Sequence, residues 1–278
     1  MPLPATLNAA AAAIRTAEAL IITAGAGMGV DSGLPDFRGK EGFWNAYPPY
    51  RHLGLSFVEA ANPAHFQRDP AFAWGFYGHR TNLYRGTVPN PGFTILRDWI
   101  ERYQLAPFVV TSNVDGQFQK AGFSEGVILE VHGSIHHLQC LRPCCDTIWP
   151  NREVITIDER NMRAGNLPLC PYCHGVARPN ILMFGDFSWL DGRSRAQEEN
   201  YLAFLDQQQG KRIVVIEIGA GTAIPTIRAT SERIGRLPQA TVIRINLREA
   251  EISPPHLALP CTGLAGLTAL DALLTNDL

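Results

Sequence analysis

Residues 23–39 read TAGAGMGVDSGLPDFRG and follow the short apolar run ALII at 19–22. A run of β-branched and apolar residues emptying into glycines at 25, 27 and 29 has the form of a strand-to-helix turn. Glycine lets the chain turn tightly and lets backbone N–H groups approach a pyrophosphate, whose charge a following helix N-terminus favours. Such turns also occur without any ligand, so the glycines alone decide little. The continuation is less common. A dinucleotide fold ordinarily runs straight into a long helix, whereas here SGLPDFRG intervenes, with Pro35 fixing a turn and Asp36, Phe37 and Arg38 side by side.

Outward from this turn, similar apolar runs end in small or polar residues at PFVVTSN (107–113), VILEVHG (127–133), KRIVVIEIG (211–219) and ATVIRIN (240–246). Helical patterns at about 4–18, 71–85, 91–103, 196–209, 224–236 and 264–274 separate them. Continuous apolar strands alternating with helices point to a parallel sheet covered on both faces, hence a doubly wound, Rossmann-like α/β fold. Residues 140–185 show neither periodicity and read as an inserted small module. The expected organisation is a nucleotide-binding domain from 1–139 and 186–278 and a metal-binding module at 140–185, with the loop and helix region 40–90 contributing to the smaller unit.

The 24 basic and 26 acidic residues leave a formal charge of −2, spread without long runs, which gives no basis for a nucleic-acid partner. Arg15 and Glu18 interrupt the N-terminal apolar stretch and no basic segment precedes it, so it reads as a helix rather than a signal peptide or membrane span. A cytoplasmic location is expected. The six cysteines then read as reduced thiols. Cys170-Pro-Tyr-Cys173 has the two-residue spacing of a zinc knuckle, and a second pair lies earlier, formed by Cys140 with either Cys144 or Cys145. Both spacings are admissible, with Cys145 marginally preferred. Four thiolates would close a structural zinc site, while Cys261 reads as core.

The turn resembles the opening motif of the sirtuins, NAD-dependent protein deacylases, with Gly25, Ala26, Gly27, Ser32, Gly33, Pro35, Asp36, Phe37, Arg38 and Gly39 in register. TSNVDGQFQKAG (111–122) resembles the family's TQNIDxLHxxAG. VHG (131–133) is similar to its catalytic histidine motif, RPNILMFGD (178–186) to RPxVVxFGE, and RIN (244–246) to its strand-end IN. The resemblance implies that an acyl-lysine oxygen attacks C1′ of the nicotinamide ribose as nicotinamide leaves, giving free lysine and O-acyl-ADP-ribose. It assigns His132 as general base, with Asn113 positioning a ribose hydroxyl or water. Asp115 would hold the carboxamide, Phe37 would screen the ribose, and Arg38 would pair with phosphate. Gly25, Ala26, Gly27, Asp36, Ser112, Gly219, Gly221 and Asn246 would complete the NAD site. Met183, Phe184 and Gly185 would contact the acylated protein. His136 and His137 match no catalytic position.

Some positions depart from the family. Ala24 and Gly29 stand where threonine and serine are usual, Ser112 replaces glutamine and Phe118 replaces histidine; EIGAGTAIPTIR (217–228) replaces GTSLxVxP. These features resemble a macrodomain-linked branch and raise two alternatives, a protein mono-ADP-ribosyltransferase and a non-catalytic NAD or ADP-ribose sensor. Tyr77 and Arg80, three apart on one helical face, resemble a pair in desuccinylating and demalonylating members, which implies acidic acyl groups as further substrates.

Overall fold

Continuous apolar runs become strands of one parallel sheet, while the segment without periodicity forms short antiparallel pieces beside it. The computed structural model describes residues 4–35, 47–48, 51 and 54–275, so Asp36, Phe37 and Arg38 lie outside the described residues. Along the chain come α1 (Pro4–Thr16), β1 (Ala19–Ala24), the short α2 (Gly27–Val30), α3 (Phe57–Ala60), α4 (Ala64–Arg68), α5 (Pro70–Gly86) and α6 (Pro91–Arg102). Next are β2 (Ala106–Thr111), α7 (Gln117–Lys120), β3 (Ile128–Glu130), β4 (Gly133–Cys140), β5 (Ile148–Pro150), β6 (Ile157–Asp158), β7 (Arg163–Ala164) and β8 (Ala177–Ile181). They are followed by α8 (Gly192–Gln207), β9 (Ile213–Ile218), α9 (Thr226–Gly235), β10 (Ala240–Ile245), β11 (Leu257–Leu259) and α10 (Gly263–Thr275).

The main sheet runs β11-β10-β9-β1-β2-β3, every neighbouring pair parallel. Alternation along β1 sends its residues to two separate cores. Leu20, Ile22 and Ala24 pack with Ile14, Leu96, Trp99 and Leu270 of the helices on one face. Ala19 and Ile21 pack with Tyr201, Ile227 and Ile234 on the other. Burial on both faces explains why these strands read as unbroken apolar runs. The doubly wound architecture expected from the sequence is therefore present, with β11 an additional three-residue strand.

A third core lies outside this sheet. Phe66, Trp74, Tyr77 and Tyr84 pack against Ile135, Leu138, Ile155 and Ala177. The segment around α4 and α5 thus shares a core with the antiparallel sheet β5-β4-β8. The Trp74 indole N–H donates to Ala177 O at 2.8 Å, fastening helix to sheet. This sheet starts at Gly133, seven residues before the module boundary expected at 140.

Candidate active site

Where β1, β2 and β9 end, their carboxyl-terminal turns and the third core enclose a cavity of about 660 Å³. In open parallel sheets this is the edge at which ligands bind. Gly25, Ala26, Ser112, Asn113, Asp115, His132, Gly219 and Gly221 line it, as do Tyr77, Arg80, Met183 and Phe184. Sequence positions spread over some 200 residues thereby meet in one cleft. Gly27, Gly185 and Asn246 do not line it.

The glycine turn is shaped by packing. The N–H groups of Gly25 and Gly27 donate to Ile218 O and Gly219 O at 3.0 and 3.1 Å, so the end of β9 and the turn after it take two of the donors expected to face a pyrophosphate. A Cβ on Gly27 would stand 2.6 Å from Gly219 Cα. The role of Gly27 is to let two turns touch. Asn246 acts from behind: its Nδ2 donates to Ala220 O at 2.8 Å, and its Oδ1 accepts from the Arg248 and Glu249 amides at 3.1 and 3.2 Å.

Asn113 is pinned at the end of β2. Its Nδ2 donates to Gly25 O and its amide to Thr111 Oγ1, both at 3.0 Å. Two residues on, Asp115 Oδ1 accepts from the Gln117 amide at 2.9 Å, and burial pushes the Asp115 carboxyl up to about 6. His136 Nε2 stands 2.8 Å from Asp115 O, and because a carbonyl only accepts, that nitrogen carries the proton. His136 therefore holds the Asp115 loop. The His137 Nδ1 is buried without a partner among the described residues, and burial pushes its pKa down to about 4. Neither histidine lines the cavity.

His132 does. The chain around it is fixed by Val131 N donating to Thr111 O at 2.9 Å and Leu182 N to His132 O at 3.0 Å. Burial lowers its pKa against a raising hydrogen bond with the Ser112 backbone, so the ring is neutral near pH 7 and able to take a proton.

On α5, Arg80 is 6% exposed and lies against the rings of Phe57, Phe76, Tyr77 and Tyr84, a setting that stabilises a buried cation. Its Nε and Nη2 donate to the Tyr84 hydroxyl at 3.0 and 2.8 Å. Tyr84 was not expected in the site, although the 77, 80, 84 spacing puts all three on one helical face. Leu34, Phe57, Ala61 and Ile181 are further lining residues without a sequence signal beyond their apolar character. Met183 and Phe184 are held in place by the fully buried pair Arg178–Asp186. Asp186 also accepts from the amides of Met183 and Ser188 at 3.3 and 3.1 Å, and Phe184 N donates to Ala61 O at 3.2 Å.

The thiols of Cys140, Cys144, Cys170 and Cys173 all lie within 4.8 Å of one another, with Cys140–Cys173 and Cys144–Cys170 sulfur separations of 3.6 Å. Tetrahedral zinc with Zn–S near 2.3 Å requires sulfurs about 3.8 Å apart, so the four residues fit that ion. Cys144 takes the position expected for Cys145. The Cys145 thiol is engaged by Thr147 instead and stays out of the four-sulfur group. Cys261 is half-buried at the edge of the first core.

The Sir2 family model matches residues 25–201. An NAD-dependent protein deacylase of Pyrococcus abyssi is 31% identical over 83% of this chain and 82% of its own length. NAD-dependent protein deacylase 2 of Pyrobaculum aerophilum is 29% identical over 84% and 82%. Among solved structures, a Sir2 homologue in complex with NAD superposes with a TM-score of 0.74 at 22% identity, covering 97% of this chain and 94% of that one, a likeness of fold.

Proposed function

Because the chain belongs to the Sir2 family, we propose that it is an NAD-dependent protein-lysine deacylase that releases nicotinamide and O-acyl-ADP-ribose. The observation that carries this reading is the meeting of His132, Asn113 and Asp115 in one cavity at the carboxyl ends of the parallel strands. Bound NAD supplies a ribose C1′ that accepts the acyl oxygen as nicotinamide departs. Asp115 holds the carboxamide, and Asn113, tethered to Gly25 O, orients the ribose. The turns after β1 and β9 face the phosphates. His132 takes a proton from a ribose hydroxyl at a ring nitrogen. Leu34, Ile181 and Phe184 keep water from the reacting centre, where an oxocarbenium-like cation would be trapped by it. Zinc at Cys140, Cys144, Cys170 and Cys173 is structural, since four thiolates leave no position for an activated water.

The buried Arg80 on the cavity wall supports a finer reading, in which acidic acyl groups are accepted alongside acetyl. No described helix is long and apolar enough to cross a membrane, and the same reading puts the protein in the cytoplasm. Incubation with NAD and acetyl-, malonyl-, succinyl- and longer-acyl-lysine peptides is the test. Acyl loss that requires NAD is expected for at least one of them, and intact peptides throughout the panel would refute the assignment.

A further inference from the structure

A second cavity, of about 370 Å³, lies on the α8/α9 face of the parallel sheet near the ends of β2 and β3. Its volume falls within the range of small-molecule sites, roughly 300–1,000 Å³. Val110, Leu129 and Val131 give it an apolar floor. Two polar groups stand against that floor. Tyr201 is only 2% exposed, and its hydroxyl meets Arg233, which can only donate to it, so the hydroxyl's own proton has no acceptor among the described residues; the buried indole nitrogen of Trp189 has no partner among them. An indole N–H can only donate, and a buried donor left unmade is costly, so this end of the cavity calls for an acceptor. Arg233 stands beside the Tyr201 hydroxyl and opposes the burial that raises its pKa.

The remaining charges narrow the choice. Arg195 is held by both oxygens of Asp191 at 2.8 and 2.6 Å, so its charge is already matched. Glu198, exposed on the α8 wall, is the second anion at the cavity. With two cations and two anions around the cavity, a dianion gains nothing from the field, whereas one carboxylate placed at the donor end meets Arg233 directly. We propose that this cavity binds a small monocarboxylate with a compact apolar body. Its oxygens accept from Trp189 Nε1 and the Tyr201 hydroxyl, and its body rests on Val110, Leu129 and Val131. The site is separate from the NAD cleft but adjoins it: Val131 precedes His132 and Thr226 precedes Ile227, each pair dividing between the two cavities.

The test is calorimetric titration of the full, zinc-loaded chain with benzoate, benzamide and inorganic phosphate, each with and without saturating NAD. Saturable binding of benzoate is expected, unaffected by NAD and stronger than that of benzamide or phosphate. Tyr201→Phe and Arg233→Gln should each weaken it about tenfold. Tyr201→Phe removes a hydroxyl whose only partner among the described residues is the exposed Arg233, so its unfolding midpoint should stay close to that of the parent, and a measured midpoint separates lost binding from lost folding. Absence of saturable binding, meaning that the cavity holds only water, would overturn the proposal. So would displacement of benzoate by NAD, equal affinity for benzamide, or affinity unchanged in both variants.

Discussion

Gly27 and Gly219 press their backbones together beside the cleft: a Cβ on Gly219, which has φ +61°, would stand 2.3 Å from Gly27 Cα. Backbone cannot move aside as a side-chain tip can. Gly219→Ala should therefore destabilise the fold by about 2–5 kcal/mol, combining the left-handed conformation with overpacking. Gly33 also has positive φ, +84°, but nothing lies within 4 Å of its would-be Cβ, so Gly33→Ala should cost only about 1–2 kcal/mol. Denaturant unfolding of the two variants compares them directly.

Asp115 makes stability depend on pH. Its carboxyl, raised by burial from 3.8 to about 6, favours the protonated form more in the folded than in the unfolded chain. Its contribution is thus fully present below the unfolded pKa and is lost as pH rises through about 6, on the order of 2–3 kcal/mol in all. Asp115→Asn should match the parent at pH 4 and be more stable by roughly that amount at pH 8, while losing nicotinamide release. The half-buried His132, His136 and His137 carry the opposite sign: their pKa values are lowered, so the stability they contribute is present above the unfolded value near 6.5 and fades as pH falls. Equilibrium unfolding at the two pH values, parent against variant, isolates the Asp115 part.

Zinc content separates two adjacent thiols. Cys144→Ser should lose the bound metal and melt earlier, whereas Cys145→Ser should keep one zinc per chain. Metal analysis after gel filtration reads both, and zinc retained in Cys144→Ser together with zinc lost in Cys145→Ser would reverse the ligand assignment.

On the proposed function, acyl preference should depend on Arg80. Arg80→Met keeps much of the apolar stem but removes the cation, so kcat/KM for succinyl-lysine peptide should fall about ten- to a hundredfold more than for acetyl-lysine peptide. An equal fall for both would assign Arg80 to packing alone.

The main sheet was readable because strands buried on both faces are written as near-continuous apolar runs, as in IVVI at 213–216. β11 was not, since the three residues LAL carry no period. Asn113, Asp115 and His132 were readable because each sits in a motif at a strand end, where β2 and β3 deliver it to the cleft. For Gly27 the sequence cannot say whether a glycine makes room for a ligand or for another turn, and the structure shows the turn at Gly219 packed against it. The exchange of Cys144 for Cys145 has a similar origin, since both spacings reach a zinc ion and only the local hydrogen bonding to Thr147 turns Cys145 aside. Tyr84 went unnoticed because its role is to hold Arg80.

The central claim is that His132 serves as the base of an NAD-dependent acyl transfer. One assay tests it most directly: quantifying nicotinamide and deacylated peptide together, from NAD and the best acyl-lysine peptide, for the parent and for His132→Ala. The parent should yield the two products in equal amounts, and the variant should retain NAD binding while losing turnover by at least about a hundredfold. Equal turnover in the variant, or nicotinamide release without peptide deacylation, would contradict the account.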